Sequence, residues 1–348
     1  MKILVVGDGH SIIHEVAVYN AFKKLGHKVA VFYWHNYFNS QKVLLQIWLK
    51  LQNKFIFGPI IRKINQELVK KAKKFKPNVI FVYRGTHITA KTIIILNQSL
   101  PNCYIIGYNN DDPFAPNNST WLWRHFINCL LVYDLVLAYR RHNIGKYLKS
   151  GAKRVDLLMP WYVSEKDYPI TKNEEISKKY DVVFVGHYEK DSRIKYIEKI
   201  AQSNFSFGLF GPDWDSAPKY SFLKKYKPIL PVRGYLYRKT IISAKIALCF
   251  LSSLNRDTYT RRCFEIPAMG VLMLCQYTEE LGSLFKDGVD AVFFHNPDDL
   301  IEKITYYLHH DELRERIAKN GRKRVINDKH DVTSRMDNLL NQLPKSNS

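Results

Sequence analysis

The chain has 348 residues, too many for one ordinary hydrophobic core and suited to two domains. Hydrophobic residues make up 46% and charged residues 24%, a globular composition, and no run approaches 18 uninterrupted apolar residues, which excludes a predicted membrane-spanning helix. The net charge of +21 suits a polyanionic partner such as nucleic acid, anionic lipid or a phosphorylated substrate, and it suits a lysine-rich solvated surface equally well.

The opening Ile3 to Val6 is β-branched and continuous, as in a buried parallel strand. It runs into Gly7-Asp8-Gly9-His10-Ser11, so the first residues are not expected to be a signal peptide and the chain is expected in the cytoplasm. Apolar residues from Ile12 to Leu25 recur at helical spacing and stop at Gly26, and Val29 to Phe32 is a second strand. This β-loop-α-β opening requires a right-handed crossover and a parallel sheet. Amphipathic helices are predicted over 43–51 and 60–74, strands over 79–83, 104–108 and 135–138, and a short helix from His142 to Lys149, closed by Gly151. The densest basic cluster, Lys70-Lys71-Ala72-Lys73-Lys74, falls on an exposed helix face.

From Pro160 to Tyr180 the periodicity weakens, and Glu165, Asp167, Glu174 and Pro169 mark an interdomain crossing. The strand rhythm then restarts at 181–185, followed by Gly186, and continues at 206–210, 246–251, 271–274 and 291–294. Helices are predicted over 298–308, with Asp298 as N-cap, and over 312–325. The expected organisation is a first domain over 1–165, a second over 166–335 and a polar tail over 336–348. Both domains read as doubly wound, Rossmann-like α/β layers facing across a cleft, with ligands at the carboxyl ends of the strands.

Five scattered cysteines (Cys103, Cys129, Cys249, Cys263 and Cys275) include no C-x-x-C pair, so neither a zinc site nor a disulfide framework is expected. Gly7-Asp8-Gly9 could present backbone N–H groups to an anion, but Ile12 stands where the dinucleotide fingerprint needs its third glycine. His10 at the tip of that loop is a candidate base or acceptor ligand, or a loop histidine with no role. Asp111-Asp112-Pro113 offers paired carboxylates, with Asp112 as a candidate base, and is also an ordinary turn sequence. In the stretch from Asn255 to Gly270, Arg261 and Arg262 offer planar forks suited to phosphate oxygens, and Glu265 offers two acceptors suited to a vicinal diol. A structural arginine–glutamate pair would explain the same residues.

The string Arg262-Cys263-Phe264-Glu265-Ile266-Pro267-Ala268-Met269-Gly270-Val271-Leu272-Met273-Leu274 resembles the C-terminal domain of group 1 glycosyltransferases, most closely the CgeB-like branch. Thr278-Glu279-Glu280, Phe285-Lys286-Asp287-Gly288, Phe184-Val185-Gly186, Gly211-Pro212-Asp213-Trp214 and Gly234-Tyr235-Leu236-Tyr237 extend the resemblance over roughly 180 to 335. It implies an α/β GT-B fold and a nucleotide-diphosphate sugar as donor substrate, with no further cofactor and no metal. It places Glu265 on the ribose hydroxyls, Asp257 toward the donor sugar, Arg262 toward the diphosphate and Gly234 near the base. Gly9, Gly186, Gly211 and Arg261 join the expected donor-binding set. Arg193, Arg233, Arg238 and Lys239 are all candidates for a further diphosphate contact.

The resulting expectation is metal-independent transfer to a hydroxyl of a glycan or lipid-linked acceptor, leaning towards retention, with His10 or Asp112 as base if the reaction inverts. Trp34, Tyr37, Phe38, Trp121, Trp123 and Arg124 could meet the acceptor or a lipid interface, and the charge suits peripheral contact with an anionic inner leaflet. An epimerase or phosphorylase on the same fold, a catalytically dead relative and a basic nucleic-acid-binding protein are the rival readings. The last lacks zinc-finger, RNP-type or basic heptad signals, so no nucleic-acid partner is expected.

Overall fold

The computed structural model describes residues 1–116, 120–171 and 173–344. It forms two compact units, Met1–Pro160 with Val332–Ser348, and Trp161–Asp331.

The first unit contains β1 (Lys2–Gly7), α1 (Glu15–Lys24), β2 (Lys28–Tyr33), α2 (Val43–Phe55), α3 (Pro59–Phe75), β3 (Val79–Tyr83), α4 (Ala90–Ser99), β4 (Tyr104–Asn109), α5 (Thr120–Cys129), β5 (Leu135–Ala138), α6 (Arg141–Lys149) and β6 (Val155–Leu157). Its six strands are parallel in the order β2-β1-β3-β4-β5-β6. Strands β1 and β3 are buried on both faces, which is why they read as continuous apolar runs rather than alternating ones. Leu4, Val6, Ile80, Val82 and Ile105 meet Ile64, Leu68 and Phe126 in the core. Each such aliphatic side chain contributes roughly 1.5–3 kcal/mol by leaving water.

The second unit contains β7 (Tyr180–Val185), α7 (Arg193–Ala201), β8 (Phe207–Phe210), α8 (Tyr235–Ile242), β9 (Ala244–Cys249), α9 (Arg262–Ala268), β10 (Leu272–Gln276), α10 (Glu279–Leu284), β11 (Val292–Phe294), α11 (Pro297–His309) and α12 (Asp311–Asn327). Its parallel strands run β11-β10-β9-β7-β8. Both sheets therefore share one winding. The chain steps outward once, then returns past its first strand and continues the other way. The order reverses between β1 and β3 in the first unit and between β7 and β9 in the second, and such reversals are where open α/β sheets bind ligands.

The observed elements differ from the sequence expectation in four places. The change of unit falls at Pro160/Trp161, within the chain expected to close the first domain. Beyond Asp331 the chain rejoins the first unit as α13 (Val332–Asn341), which packs on α1 and buries Val332, Met336, Leu339 and Leu340 where a polar tail was expected from 336. That apolar spacing is short and set among polar residues, so it carries little periodic signal. Residues 345–348 of the expected tail lie outside the described residues. The cap of α11 is Asn296, whose side chain accepts from the Asp298 and Asp299 N–H groups at 3.0 Å each, and Asp298 lies inside the first turn. Strand β6 is too short to register as a pattern.

Candidate active site

The second unit gathers Arg261, Arg262 and Glu265 at the start of α9, the helix that follows β9. After β9 the chain forms a loop in which the Asp257 N–H donates to the Ser252 carbonyl at 2.9 Å, and it then enters α9. Glu265, one turn into α9, is buried. One of its oxygens accepts the Tyr237 hydroxyl of α8, and the other pairs with the Arg261 guanidinium. Arg261 also pairs with Asp167 at 2.6 Å, and the same Asp167 oxygen accepts the Val163 N–H at 2.7 Å. Tyr237, Glu265, Arg261 and Asp167 are thus one connected network. Burial is the main force on the Tyr237 hydroxyl and pushes its pKa up to about 12, so it remains a donor to Glu265 at neutral pH.

Arg262 is different. It is half-buried, its Nε is enclosed, and among the described residues it has no hydrogen-bond or ion partner. A buried N–H without a partner costs about 1–3 kcal/mol, and an anion supplied from outside the chain would remove that cost. Arg262 stands at the first position of α9, beside the Glu265–Arg261 pair, so the face offers a cation and a carboxylate together.

The other expected donor contacts have different fates. Arg193, at the start of α7, is buried and fully committed. It forks onto Asp191 at 2.7 and 2.8 Å, pairs with Glu189 at 3.0 Å and donates to the His187 carbonyl at 2.9 Å. Its donors close the turn after β7 rather than face a diphosphate. Arg238 is likewise bound, bidentate to Glu174 at 2.6 Å on both nitrogens, with further bonds to the Tyr168 and Pro169 carbonyls. The hydrogen bonds from Arg238 hold the Glu174 carboxyl down at about 2. Arg233 and Lys239 are exposed. Gly186 and Gly211 act on the backbone: a Cβ on Gly211 would lie 1.8 Å from the Gly186 carbonyl oxygen, so only glycine lets the ends of β7 and β8 approach. That carbonyl also accepts the Trp214 indole N–H at 2.9 Å. Gly234 is exposed and precedes the first turn of α8.

In the first unit, Gly9 has φ +89° and packs against the Tyr33 ring, where a Cβ would come within 2.3 Å of the ring. Its N–H donates to the buried Glu15 carboxylate at 2.5 Å, so that donor is already spent. His10 is exposed and pairs with Asp8. Asp112 is 0% exposed. One oxygen accepts from the Phe114 N–H at 3.0 Å and the Asn143 amide at 2.7 Å, and the other meets His142 Nε2 at 3.2 Å. These bonds fasten the Asp-Pro turn to α6 and leave the carboxylate sealed, a structural position rather than that of a base. Asp111 pairs with Arg84 at 2.8 Å.

Two groups among the described residues have the ligand types to hold an ion. Cys249, Cys263 and Cys275 lie together in the core, with Sγ–Sγ distances of 3.6 and 3.9 Å, and Asp8, His10 and Glu15 lie together after β1. The acids in the crossing segment were visible in the sequence, but their partners were not. Asp167 supports Arg261 from 94 positions away, and Glu174 supports Arg238 from 64. No local pattern reports pairs that distant.

Residues 193–341 match the family described as glycosyl transferase-like. No curated protein matches the sequence. Solved structures match over nearly the whole chain. HepE of Anabaena in complex with UDP-glucose is 13% identical, covers 99% of this chain and 100% of its own, and gives a TM-score of 0.66. Sucrose-phosphate synthase of Thermosynechococcus elongatus is 12% identical with 98% of each chain covered and a TM-score of 0.67. An E. coli trehalose-6-phosphate protein bound with UDP-2-fluoro glucose is 12% identical, covers 99% and 100%, and gives 0.63. These likenesses show the GT-B fold. The glycosyl transferase-like match covers the larger part of the second unit and α13, so the sequence likeness and the likeness of fold meet in the unit that carries α9.

Proposed function

We propose that the chain transfers a sugar from a UDP-sugar to a hydroxyl of a glycan or lipid-linked acceptor, without a metal and with retention, and that it belongs to the CgeB-like branch. The observation that carries this reading is Arg262, a partly enclosed guanidinium with no partner among the described residues, beside the paired Glu265. A diphosphate would satisfy Arg262, and the vicinal diol of a ribose would engage Glu265. HepE and the E. coli protein, which share the fold, are bound to UDP-sugars in their structures.

In the reaction the bond from the anomeric carbon to the diphosphate oxygen breaks, the acceptor oxygen bonds to that carbon, and the acceptor's hydroxyl proton passes to the departing diphosphate. Negative charge grows on the leaving diphosphate. A fixed guanidinium stabilises that charge without reorganising, and removing one such donor costs about 10²–10³ in rate. Asp112, whose sealed carboxylate is ill placed to take a proton from an acceptor, drops out as a base for an inverting reaction and leaves His10 as the other candidate, so retention rests on the resemblance. The CgeB-like assignment rests on the string from Arg262 to Leu274.

Thermal shift with UDP, GDP, CDP and TDP and their sugars, without metal and then with Mg²⁺, tests this directly. Stabilisation by UDP and UDP-sugars without metal is expected, and it should disappear in Glu265→Ala. No shift with any nucleotide, or a shift that survives in Glu265→Ala, would remove the basis of the assignment. The anomeric configuration of the product, read by NMR, tests retention.

A further inference from the structure

Helix α2 presents its surfaces in reverse. Val43, Leu44, Ile47, Trp48, Leu51 and Phe55 recur at the i, i+3, i+4 and i+7 spacing of one helix face, and all six are exposed, Leu44 at 84% and Val43 at 74%. The amide side chains of the same helix bond back to the protein, Gln52 from a buried position, Gln46 from a half-buried one and Asn53 from an exposed one. Gln46 bonds to the Phe38 carbonyl at 3.0 Å and accepts the Ser40 N–H at 2.6 Å. Gln52 is buried and accepts the Ile60 N–H at 2.9 Å, and Asn53 meets the buried His87 ring at 2.8 Å. A surface helix ordinarily buries its apolar stripe and exposes its amides. The next helix, α3, does so, burying Ile61, Ile64 and Leu68 and exposing Lys70, Lys71, Lys73 and Lys74.

The reversal is held in place. The Phe55 carbonyl, in the last turn of α2, accepts the Trp121 indole N–H at 2.8 Å and an Arg124 nitrogen at 2.9 Å, and Leu49 and Ile56 are buried beneath. Phe57 and Trp121, at 68% and 49% exposure, continue the apolar surface at that end. Lys42, Lys50 and Lys54 are exposed around it. No acidic residue occurs between Glu15 and Glu67. Residues 1–160 hold 23 Lys and Arg against 7 Asp and Glu, whereas residues 161–348 hold 30 against 25. The excess charge of the protein is therefore concentrated in the part of the chain that carries α2.

We propose that α2 is an interfacial helix that docks on an anionic lipid bilayer, with its apolar face among the acyl chains and its lysines at the headgroups. Apolar face, tryptophan and rim of lysines together are what such a helix requires. A neutral protein partner would account for the apolar face but not for the lysines. The proposal goes beyond the transfer reaction and does not depend on it.

Flotation of the full-length protein with phosphatidylcholine vesicles, with and without phosphatidylglycerol, tests it. The protein should float with the anionic vesicles and not with the neutral ones. Leu44→Ser/Trp48→Ser should weaken that binding by roughly tenfold or more. Lys42→Gln/Lys50→Gln/Lys54→Gln should weaken it by roughly fivefold per charge and flatten its salt dependence. All of these positions are exposed, so the melting temperature and the nucleotide shift of both variants should match wild type, which separates this test from that of the transfer reading. Absence of flotation, or equal flotation of Leu44→Ser/Trp48→Ser, would overturn the proposal. Self-association that this variant abolishes, without vesicle binding, would overturn it too and assign the face to a second copy of the chain.

Discussion

Arg193 and Arg262 occupy equivalent places. Each is the first residue of a helix, and the two helices follow the carboxyl ends of β7 and β9, neighbouring strands in the second sheet. The fold uses them in opposite ways. Arg193 is surrounded by Glu189, Asp191 and the His187 carbonyl and has little left to offer a ligand. Arg262 has Arg261 as its neighbour, and it is Arg261 that takes Glu265 and Asp167. An arginine at a helix start beside a strand end is therefore no sign of an anion site by itself. What decides is whether the chain has already supplied the counter-charge.

Substitutions at the two positions should separate these roles. Arg193→Ala leaves Asp191 and Glu189 without their main cation in a buried setting, and breaking such a cluster costs about 3–5 kcal/mol. Urea unfolding measures this, and a loss below 1 kcal/mol would show that the cluster is wet. Arg262→Ala should reverse the pattern. Removal of a half-buried guanidinium without a partner breaks no bond, so stability should not fall by more than about 1 kcal/mol, while kcat falls by about 10²–10³. Arg262→Lys, which keeps the charge but loses the fork, should recover part of the rate.

The positioning of Arg261 should matter less than either. Asp167→Asn keeps the shape but removes one of the two charges facing Arg261. The remaining pair with Glu265 should persist, with a stability loss of about 1–3 kcal/mol. If Glu265 holds the nucleotide, the apparent affinity for UDP should fall while kcat at saturation changes little. A change in kcat alone would place Asp167 outside donor binding.

The sequence carries the first half of this comparison and not the second. The order of strands and helices could be followed because buried parallel strands such as Ile3 to Val6 are continuous and the loops between are punctuated by glycine. Arg193, expected as a diphosphate contact, instead takes Glu189 and Asp191, four and two residues before it, a local spacing that the sequence prints. The network around Glu265 is not local. Its members Asp167, Tyr237 and Arg261 come from three separate stretches, and only folding brings them together. The reversed face of α2 falls between these cases. The spacing of its apolar residues is plain in the sequence, but periodicity states only that a face exists and not which way it turns. That direction is set by Gln46, Gln52 and Asn53, whose partners are backbone groups and a buried histidine.

The smallest effect concerns Arg238, a buried arginine of the same unit. Its bond to Glu174 holds that carboxyl at about 2, below its ordinary 4.5. A depressed carboxyl stabilises the fold above its unfolded pKa and loses that contribution as pH falls through the folded value. The contribution is therefore complete above about pH 5 and declines from there towards pH 2. Glu174→Gln keeps a hydrogen-bonding side chain and removes this dependence. Urea midpoints of wild type and variant, compared at pH 7, 5 and 3, should converge as the pH drops. Curves that stay parallel would mean that Arg238 is held by the Tyr168 and Pro169 carbonyls and by the Tyr168 ring, 3.6 Å from its guanidinium, and that Glu174 adds little to a clamp the backbone already makes.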